Sequence, residues 1–172
     1  MTGVQTCALP ISFRKENGTI TAASSSSISD GAAAVVMLTA DDAQARGLKP
    51  LARIVAHATH SQEPEWFTTA PVGAIQKLLD KAGWKVADVD LFEINEAFAV
   101  VAMTPMKELG IAHEKLNVNG GACALGHPIG ASGARLVVTL LNALKTRGLK
   151  RGVAALCIGG GEATAIAVEC ID

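Results

Sequence analysis

The chain has 172 residues, of which 49% are hydrophobic, and its 15 basic and 16 acidic side chains leave a net charge of −1 at pH 7. That length and apolar content suit one domain with a sizeable core, and the absence of a basic run argues against a nucleic-acid partner. Four cysteines without Cys-x-x-Cys spacing indicate a reducing compartment, and no apolar run reaches the ~18 residues of a membrane span, so we predict a soluble cytoplasmic protein.

Five apolar stretches have the length of β-strands. They are residues 32–38, 51–59, 89–94, 152–157 and 163–169. The loop Ile158-Gly159-Gly160-Gly161-Glu162 joins the last two and is short enough for an antiparallel hairpin. Because helical patterns separate the earlier strands, we predict an α/β protein with a layered helix–sheet–helix arrangement. Its sheet is expected to be mostly parallel and to end in that hairpin.

Helix signals fill the intervals between the strands. Four helices are predicted: after Thr39 and up to Gly47, from Pro71 to Gly83, after Glu96, and after Ser132 up to Gly148. The third of these helices contains Pro105, which should kink it or end it early because proline lacks the backbone donor that a helix needs.

The strongest functional signal is residues 117–132, Asn-Val-Asn-Gly-Gly-Ala-Cys-Ala-Leu-Gly-His-Pro-Ile-Gly-Ala-Ser. Its glycines and Pro128 should hold His127 on a tight turn of small residues and not on a helix face. A histidine fixed in this way can exchange a proton near neutral pH. The alternative is a histidine that only satisfies hydrogen bonds in a crowded turn.

Three motifs in order resemble those of the thiolases, enzymes that make and break the carbon–carbon bond of 3-ketoacyl-CoA thioesters. The run Asn95-Glu96-Ala97-Phe98 is similar to the family's Asn-Glu-Ala-Phe, residues 119–133 resemble its histidine motif, and residues 157–161 resemble its Cys-Ile-Gly-Gly-Gly. Three ordered motifs are far more specific than a single glycine pattern. The likeness covers residues 13–172 and implies the C-terminal half of a thiolase, either an acetyl-CoA acetyltransferase or a 3-ketoacyl-CoA thiolase.

The resemblance also implies a division of the chain. Residues 1–12 have no counterpart and are expected to be foreign, residues 13–30 to be the tail of a loop region, and residues 31–172 to be the thiolase C-terminal domain. Cys7 does not lie in the Cys-x-Ser-Gly setting of the family's nucleophile. The nucleophile is therefore expected in an N-terminal half outside this chain, and the chain alone is expected to be inactive.

The resemblance assigns catalytic roles to four residues. His127 is the base that raises the thiolate of the nucleophile, and with a water held by Asn95 it binds the thioester oxygen. Cys157 exchanges the proton at the α-carbon of acetyl-CoA, although a packed, inert thiol is the commoner fate of a lone cysteine. The backbone N–H of Gly159 is the donor toward the acyl-enzyme oxygen.

Two further residues are implied to touch the substrate. Ser26 corresponds to the family's CoA-contact serine, although its serine-rich surroundings depart from the family wording and an ordinary solvated loop is the alternative. Phe98 lies near the pocket in the family, with a place in the core as the alternative. Glu96 could orient groups around Asn95 or form an ordinary buried hydrogen bond.

The resemblance implies acetyl-CoA, acetoacetyl-CoA or other 3-ketoacyl-CoA, and CoA as substrates in fatty acid metabolism. It implies no cofactor and no metal, and a homo-oligomeric full-length parent. The alternative of a different class is a non-catalytic CoA-binding or assembly module with the same fold. A dinucleotide cradle at residues 159–161 is disfavoured, because these glycines precede a strand and lack the Gly-x-Gly-x-x-Gly spacing.

Overall fold

The computed structural model describes residues 13–14 and 16–171. The described part contains five α-helices: α1 (Ala40–Ala45), α2 (Ala70–Ala82), α3 (Ala99–Leu109), α4 (Ala122–Leu125) and α5 (Ser132–Arg147). It also contains four strands: β1 (Ala52–Ser61), β2 (Leu91–Ile94), β3 (Arg151–Ile158) and β4 (Glu162–Cys170). None of these helices has the length and apolar character needed to cross a membrane.

The strands form one sheet in the order β1-β4-β3-β2. Strands β3 and β4 form the predicted antiparallel hairpin, and β1 pairs antiparallel with the other edge of β4. Among the described residues, β2 and β3 are the only neighbouring strands that pair in parallel, so the sheet is mixed and the prediction of a mostly parallel sheet is wrong. The reason is the position of β4: β1, β2 and β3 run in one direction, but the reversed strand β4 lies between β1 and β3.

Helices cover both faces of the sheet, which confirms the layered α/β prediction. On one face, Ile75 and Leu78 of α2 and Val101 of α3 pack with Phe92 of β2. On the other face α5 packs its buried leucines, Leu136, Leu140 and Leu144, against Leu91, Ala154 and Val168 of the sheet. Because side chains alternate along a strand, β2 sends Phe92 and Ile94 to one helical layer and Leu91 and Glu93 to the other.

Residues 32–38 form no strand, which corrects the first strand prediction. Val36 is 90% exposed and Met37 is 68% exposed. An apolar, β-branched run has the composition of a strand, but a strand also needs a neighbour that accepts and donates its backbone hydrogen bonds. No other strand pairs with this segment within the described residues.

The helix ends follow the predicted capping chemistry. Thr39 Oγ1 accepts a hydrogen bond from the backbone N–H of Asp42 at 3.1 Å, and Gly83 and Gly148 end α2 and α5 in the left-handed conformation. Helix α3 continues through Pro105 to Leu109, so the helix does not end early, and the other predicted effect, a kink at Pro105, stays a prediction. The proline ring is buried in this helix, and we infer that its burial offsets the missing backbone hydrogen bond.

The packing of α5 predicts the cost of removing one of its leucines. Leu144 is fully buried, whereas Val138 of the same helix is 43% exposed. Leu144→Ala should lower the free energy of unfolding by about 2–5 kcal/mol, because it removes buried apolar surface and leaves a cavity. Val138→Ala is the control and should stay within about 0.5 kcal/mol of the parent. Urea unfolding followed by circular dichroism measures both, and equal effects of the two substitutions would contradict the described core.

Candidate active site

The candidate site lies where the parallel strands β2 and β3 end side by side. Asn95 directly follows β2, and its backbone N–H donates to the carbonyl of Ala155 in β3 at 2.9 Å. Cys157 lies two residues further along β3. The carboxyl ends of neighbouring parallel strands are where α/β sheets place ligand sites. The fold therefore brings the first and third of the predicted motifs, residues 95–98 and 157–161, to one end of the sheet.

His127 lies on the turn between α4 and α5, as predicted. Its backbone N–H donates to the carbonyl of Ser27 at 2.9 Å, so the serine-rich loop, residues 24–29, contacts the turn. Gly126 precedes it with a φ of 91°, and a Cβ at that position would overlap the side chain of Ser29. Glycine is needed here for both its backbone conformation and the close approach of the two loops.

The imidazole ring of His127 contacts polar side chains at both nitrogens. Nδ1 lies 2.6 Å from Ser132 Oγ, and Nε2 lies 3.3 Å from Asn95 Nδ2. Burial lowers the pKa of His127, and the positive charge of Arg135 lowers it further. The ring is therefore neutral near neutral pH, which is the form that a general base needs.

Glu96 fixes the loop that leads to His127. Its carboxylate accepts hydrogen bonds from Asn117 Nδ2 at 2.7 Å and from the backbone N–H of Cys123 at 3.1 Å. Asn117 Oδ1 in turn accepts a hydrogen bond from the backbone N–H of Ile94 at 2.8 Å. Ile94 is the last residue of β2 and directly precedes Asn95. A Cβ on Gly121 would overlap the Glu96 carboxylate, so the glycine makes room for this contact. Glu96 thus connects the Asn-Glu-Ala-Phe and histidine motifs.

Cys157 is half-buried and packs against the core under α2 and α3. Burial raises the pKa of its thiol to about 11. No hydrogen bond joins its sulfur to His127 in the described part of the chain. Gly159 is exposed in the following turn, and a Cβ added there would meet no heavy atom within 4 Å. Within the described residues, a hydrogen bond therefore joins Asn95 and His127, and none joins Cys157 and His127.

Ser26 and Phe98 lie next to the Asn-Glu-Ala-Phe motif. The hydroxyl of Ser26 donates to the carbonyl of Ala97 at 3.0 Å, and its backbone N–H donates to the same oxygen at 3.1 Å. Phe98 is half-buried and packs edge-to-face with Phe13 and Phe67, at centroid distances of 5.2 and 6.2 Å. These contacts hold the serine-rich loop beside the start of α3.

The sequence interpretation missed an ion pair beneath the site. Glu93 is 1% exposed, and its Oε2 lies 3.3 Å from Nη1 of Arg135. The other guanidinium nitrogen, Nη2, lies 3.4 Å from Asn95 Oδ1. Burial raises the pKa of Glu93 to about 7, although the charge of Arg135 opposes the shift. The available signal was a lone carboxylate inside the apolar strand Leu91-Phe92-Glu93-Ile94, because buried charges are normally paired.

Cys7 and the rest of residues 1–12 lie outside the described residues, so the predictions for them stay predictions. Across residues 13–14 and 16–171, no group of three or more histidine, cysteine or acidic side chains is placed to hold a metal ion.

Family comparisons agree with the motifs. The model of the thiolase C-terminal domain matches residues 48–170, and the model of the thiolase N-terminal domain matches residues 6–41. The chain therefore belongs to the thiolase family, as its motifs predicted. The division of the chain at residue 31 stays a prediction.

Similar proteins in this family include several named acetyl-CoA acetyltransferases. The acetyl-CoA acetyltransferase of Chromobacterium violaceum is 56% identical over 155 residues, which cover 90% of this chain and 40% of that protein. The cytosolic acetyl-CoA acetyltransferase of Mus musculus is 55% identical, over 88% of this chain and 38% of that protein. The chain thus spans about two-fifths of the relatives that it matches.

Solved structures of the family share the fold. The acetyl-CoA acetyltransferase of Bacillus anthracis matches with a TM-score of 0.91 and 44% identity, over 96% of this chain and 42% of that one. Human mitochondrial 3-ketoacyl-CoA thiolase in complex with CoA matches with a TM-score of 0.88 and 39% identity, over the same fractions of the two chains, 96% and 42%.

The contact between Gly121 and Glu96 predicts a specific steric effect. Gly121→Ala should destabilise the chain by about 1–3 kcal/mol, because the new methyl group displaces the Glu96 carboxylate. Gly133→Ala is the matched control, because Gly133 lies in helix α5 and a Cβ added there would meet no heavy atom within 4 Å. The control should be neutral or stabilising by up to about 1 kcal/mol. Thermal unfolding compares the two, and equal stability would contradict the described contact.

The raised pKa of Glu93 predicts how stability depends on pH. Because its pKa is higher in the folded state than the ordinary 4.5, folding takes up a proton between pH 4.5 and about 7. The contribution of Glu93 to stability is thus present below pH 4.5 and is lost as pH rises through 7. Glu93→Gln should make the decline in unfolding free energy between pH 5 and pH 7.5 shallower than in the parent. An unchanged slope in urea titrations at the two pH values would contradict the assignment.

Proposed function

We propose that this chain carries the acid–base part of a thiolase active site and that, as part of the whole enzyme, it transfers acyl groups between CoA thioesters. The reaction is the condensation of two acetyl-CoA to acetoacetyl-CoA and CoA, or the reverse thiolysis of a 3-ketoacyl-CoA. The observation that carries the proposal is the contact between His127 Nε2 and Asn95 Nδ2 at 3.3 Å, made at the ends of two parallel strands. The nucleophilic cysteine of the mechanism is supplied by a part of the enzyme outside this chain.

His127 acts first as the base and then as a donor. The neutral ring takes the proton of the nucleophilic thiol at Nε2, which raises the thiolate that attacks the substrate carbonyl. The imidazolium then donates from the same nitrogen to the thioester oxygen, with Asn95 beside it. The lowered pKa of His127 supports the first step, because the ring is unprotonated before the thiol arrives.

Cys157 exchanges the proton at the α-carbon. With its pKa raised to about 11, Cys157 is a thiol at neutral pH and can protonate the carbanion that forms when the carbon–carbon bond breaks. In the condensation direction the thiol first gives its proton to the CoA thiolate that leaves during acylation, and the resulting thiolate then removes the α-proton of the second acetyl-CoA. Gly159 lies two residues on, and its backbone N–H stabilises the acyl-enzyme oxyanion in the open space beside it.

Ser26 and Phe98 contact the CoA part of the substrate. The Ser26 hydroxyl proton is engaged by the Ala97 carbonyl, so its oxygen lone pairs are left to accept a hydrogen bond from an amide N–H of CoA. Phe98 supplies an apolar wall beside that loop.

The names of the similar proteins support acetyl-CoA as a substrate and acetyl transfer as the reaction. Acetoacetyl-CoA and CoA are then the products of the proposed condensation, or the substrates of its reverse. Longer 3-ketoacyl-CoA substrates of fatty acid metabolism are the second candidate, supported by the likeness to human mitochondrial 3-ketoacyl-CoA thiolase. We further propose a cytoplasmic, homo-oligomeric enzyme that needs no metal or other cofactor. The cytosolic relative in Mus musculus supports this location.

The test uses a chimera, because the chain spans 40% of its Chromobacterium violaceum relative. Residues 13–172 replace the matching part of that enzyme, and consumption of acetoacetyl-CoA with CoA is followed. The chimera should be active, and His127→Ala should lower its rate by about 10²–10⁴-fold, because a positioned base is lost. His113→Ala, an exposed histidine, is the control and should leave the rate unchanged. Parental activity of the His127 variant would reject His127 as the base, and no activity of a folded chimera would argue for a non-catalytic module.

A second substitution in the chimera separates the two half-reactions. Cys157→Ser should leave acylation of the nucleophile intact, because the base in that step is His127 and not Cys157. Exchange of deuterium from the solvent into the methyl group of acetyl-CoA should fall by about 10²–10⁴-fold. Rapid-quench measurement of the acylation burst and mass spectrometry of acetyl-CoA report the two steps. Exchange at the parental rate would mean that Cys157 is only a packed thiol.

A further inference from the structure

Arg135 restricts the orientation of the Asn95 side chain. A guanidinium carries only N–H donors, so the amide atom that faces it must be the oxygen. Arg135 Nη2 lies 3.4 Å from Asn95 Oδ1, and Nη1 is anchored 3.3 Å from the carboxylate of Glu93. Asn95 is fully buried, so its amide has no bulk water to turn toward. The NH₂ group of the amide must then point away from Arg135.

That orientation determines which nitrogen of His127 carries the proton. The Asn95 NH₂ group faces His127 Nε2 at 3.3 Å, and because NH₂ only donates, Nε2 must accept. A neutral imidazole has one N–H, which must therefore be at Nδ1. Nδ1 lies 2.6 Å from Ser132 Oγ, whose own proton is directed to the carbonyl of Pro128 at 3.0 Å. Each hydrogen bond in this series then joins one donor to one acceptor.

We propose that Arg135 is a positioning residue that sets the tautomer of His127 through the Asn95 amide, with Glu93 as its anchor. The series runs Glu93, Arg135, Asn95, His127, Ser132, across β2, the histidine turn and α5. This role of Arg135 rests on the proposed function. The proposed base takes up a proton at Nε2, so Nε2, the nitrogen that faces Asn95, must be unprotonated beforehand. Without Arg135 the amide can turn over and offer Oδ1 to Nε2, which favours the other tautomer.

The tautomer is measured directly on the 172-residue chain labelled with ¹⁵N. Long-range ¹H–¹⁵N correlation spectra, at a pH where the ring is neutral, distinguish a protonated Nδ1 from a protonated Nε2. Arg135→Met removes the donors while keeping similar length, and Arg135→Lys restores a charged donor. Arg147→Met is the matched control, because Arg147 lies on the same helix and donates to Asn119 Oδ1 at the same distance of 3.4 Å. Backbone spectra establish that each variant is folded.

The parent, Arg135→Lys and Arg147→Met should show His127 protonated at Nδ1. Arg135→Met should lose this single tautomer and show an Nε2–H population. The double variant Glu93→Gln, Arg135→Met gives the same expected loss without leaving a buried carboxylate uncompensated, should the single variant not fold. Protonation at Nε2 in the parent, or an unchanged Nδ1–H in a folded Arg135→Met or double variant, would overturn the proposal.

These outcomes are distinct from the test of the proposed function. A tautomer that depends on Arg135 together with an inactive chimera would reject the thiolase activity and keep the positioning role. An active chimera, together with a His127 tautomer that does not change when Arg135 is replaced, would reject the positioning role and keep the activity.

Discussion

The buried amide of Asn95 is the group on which the rest of the site depends. It is fully buried, and a buried amide without partners costs about 1–3 kcal/mol, so its surroundings must satisfy it. Arg135 meets its oxygen and His127 lies at its nitrogen. Strand β2 delivers Asn95, and α5 delivers Arg135. The contacts that satisfy this one amide therefore fix the end of β2, helix α5 and the turn that carries His127 relative to one another.

Small residues let these polar groups approach one another. A side chain at Gly121 would overlap Glu96, and a side chain at Gly126 would overlap Ser29. With glycine at both positions, the segment that carries His127 can lie against the Asn-Glu-Ala-Phe motif on one side and the serine-rich loop on the other. The positive φ of Gly126 adds a backbone conformation that most residues avoid. The glycines thus define the position of His127, and the polar contacts define the state of its ring.

Much of this arrangement could be predicted from local sequence signals. Helix caps such as Thr39 and Gly148, the C-terminal hairpin and the turn that carries His127 each depend on residues close together in the chain. The errors have a different origin. Residues 32–38 have a strand's composition without a partner strand, and Pro105 is kept in α3, where its ring is buried. Both outcomes depend on tertiary neighbours that periodicity does not report.

The Glu93–Arg135 pair was missed for the same reason. Its members lie 42 positions apart in sequence, and neither belongs to a motif that resembles the family's. A carboxylate in a buried strand indicates that a partner exists but not which cation provides it. Family resemblance predicted which residues meet substrate, whereas the contacts that hold those residues could be described only from the fold.

The most direct measurement of the central claim is a crystal structure of the catalytically competent chimera with acetyl-CoA bound. The account predicts the thioester oxygen within hydrogen-bond distance of His127 Nε2, the methyl carbon beside Cys157 Sγ, and the Asn95 amide still held by Arg135. A thioester bound away from the ends of β2 and β3, with His127 and Cys157 untouched, would contradict it.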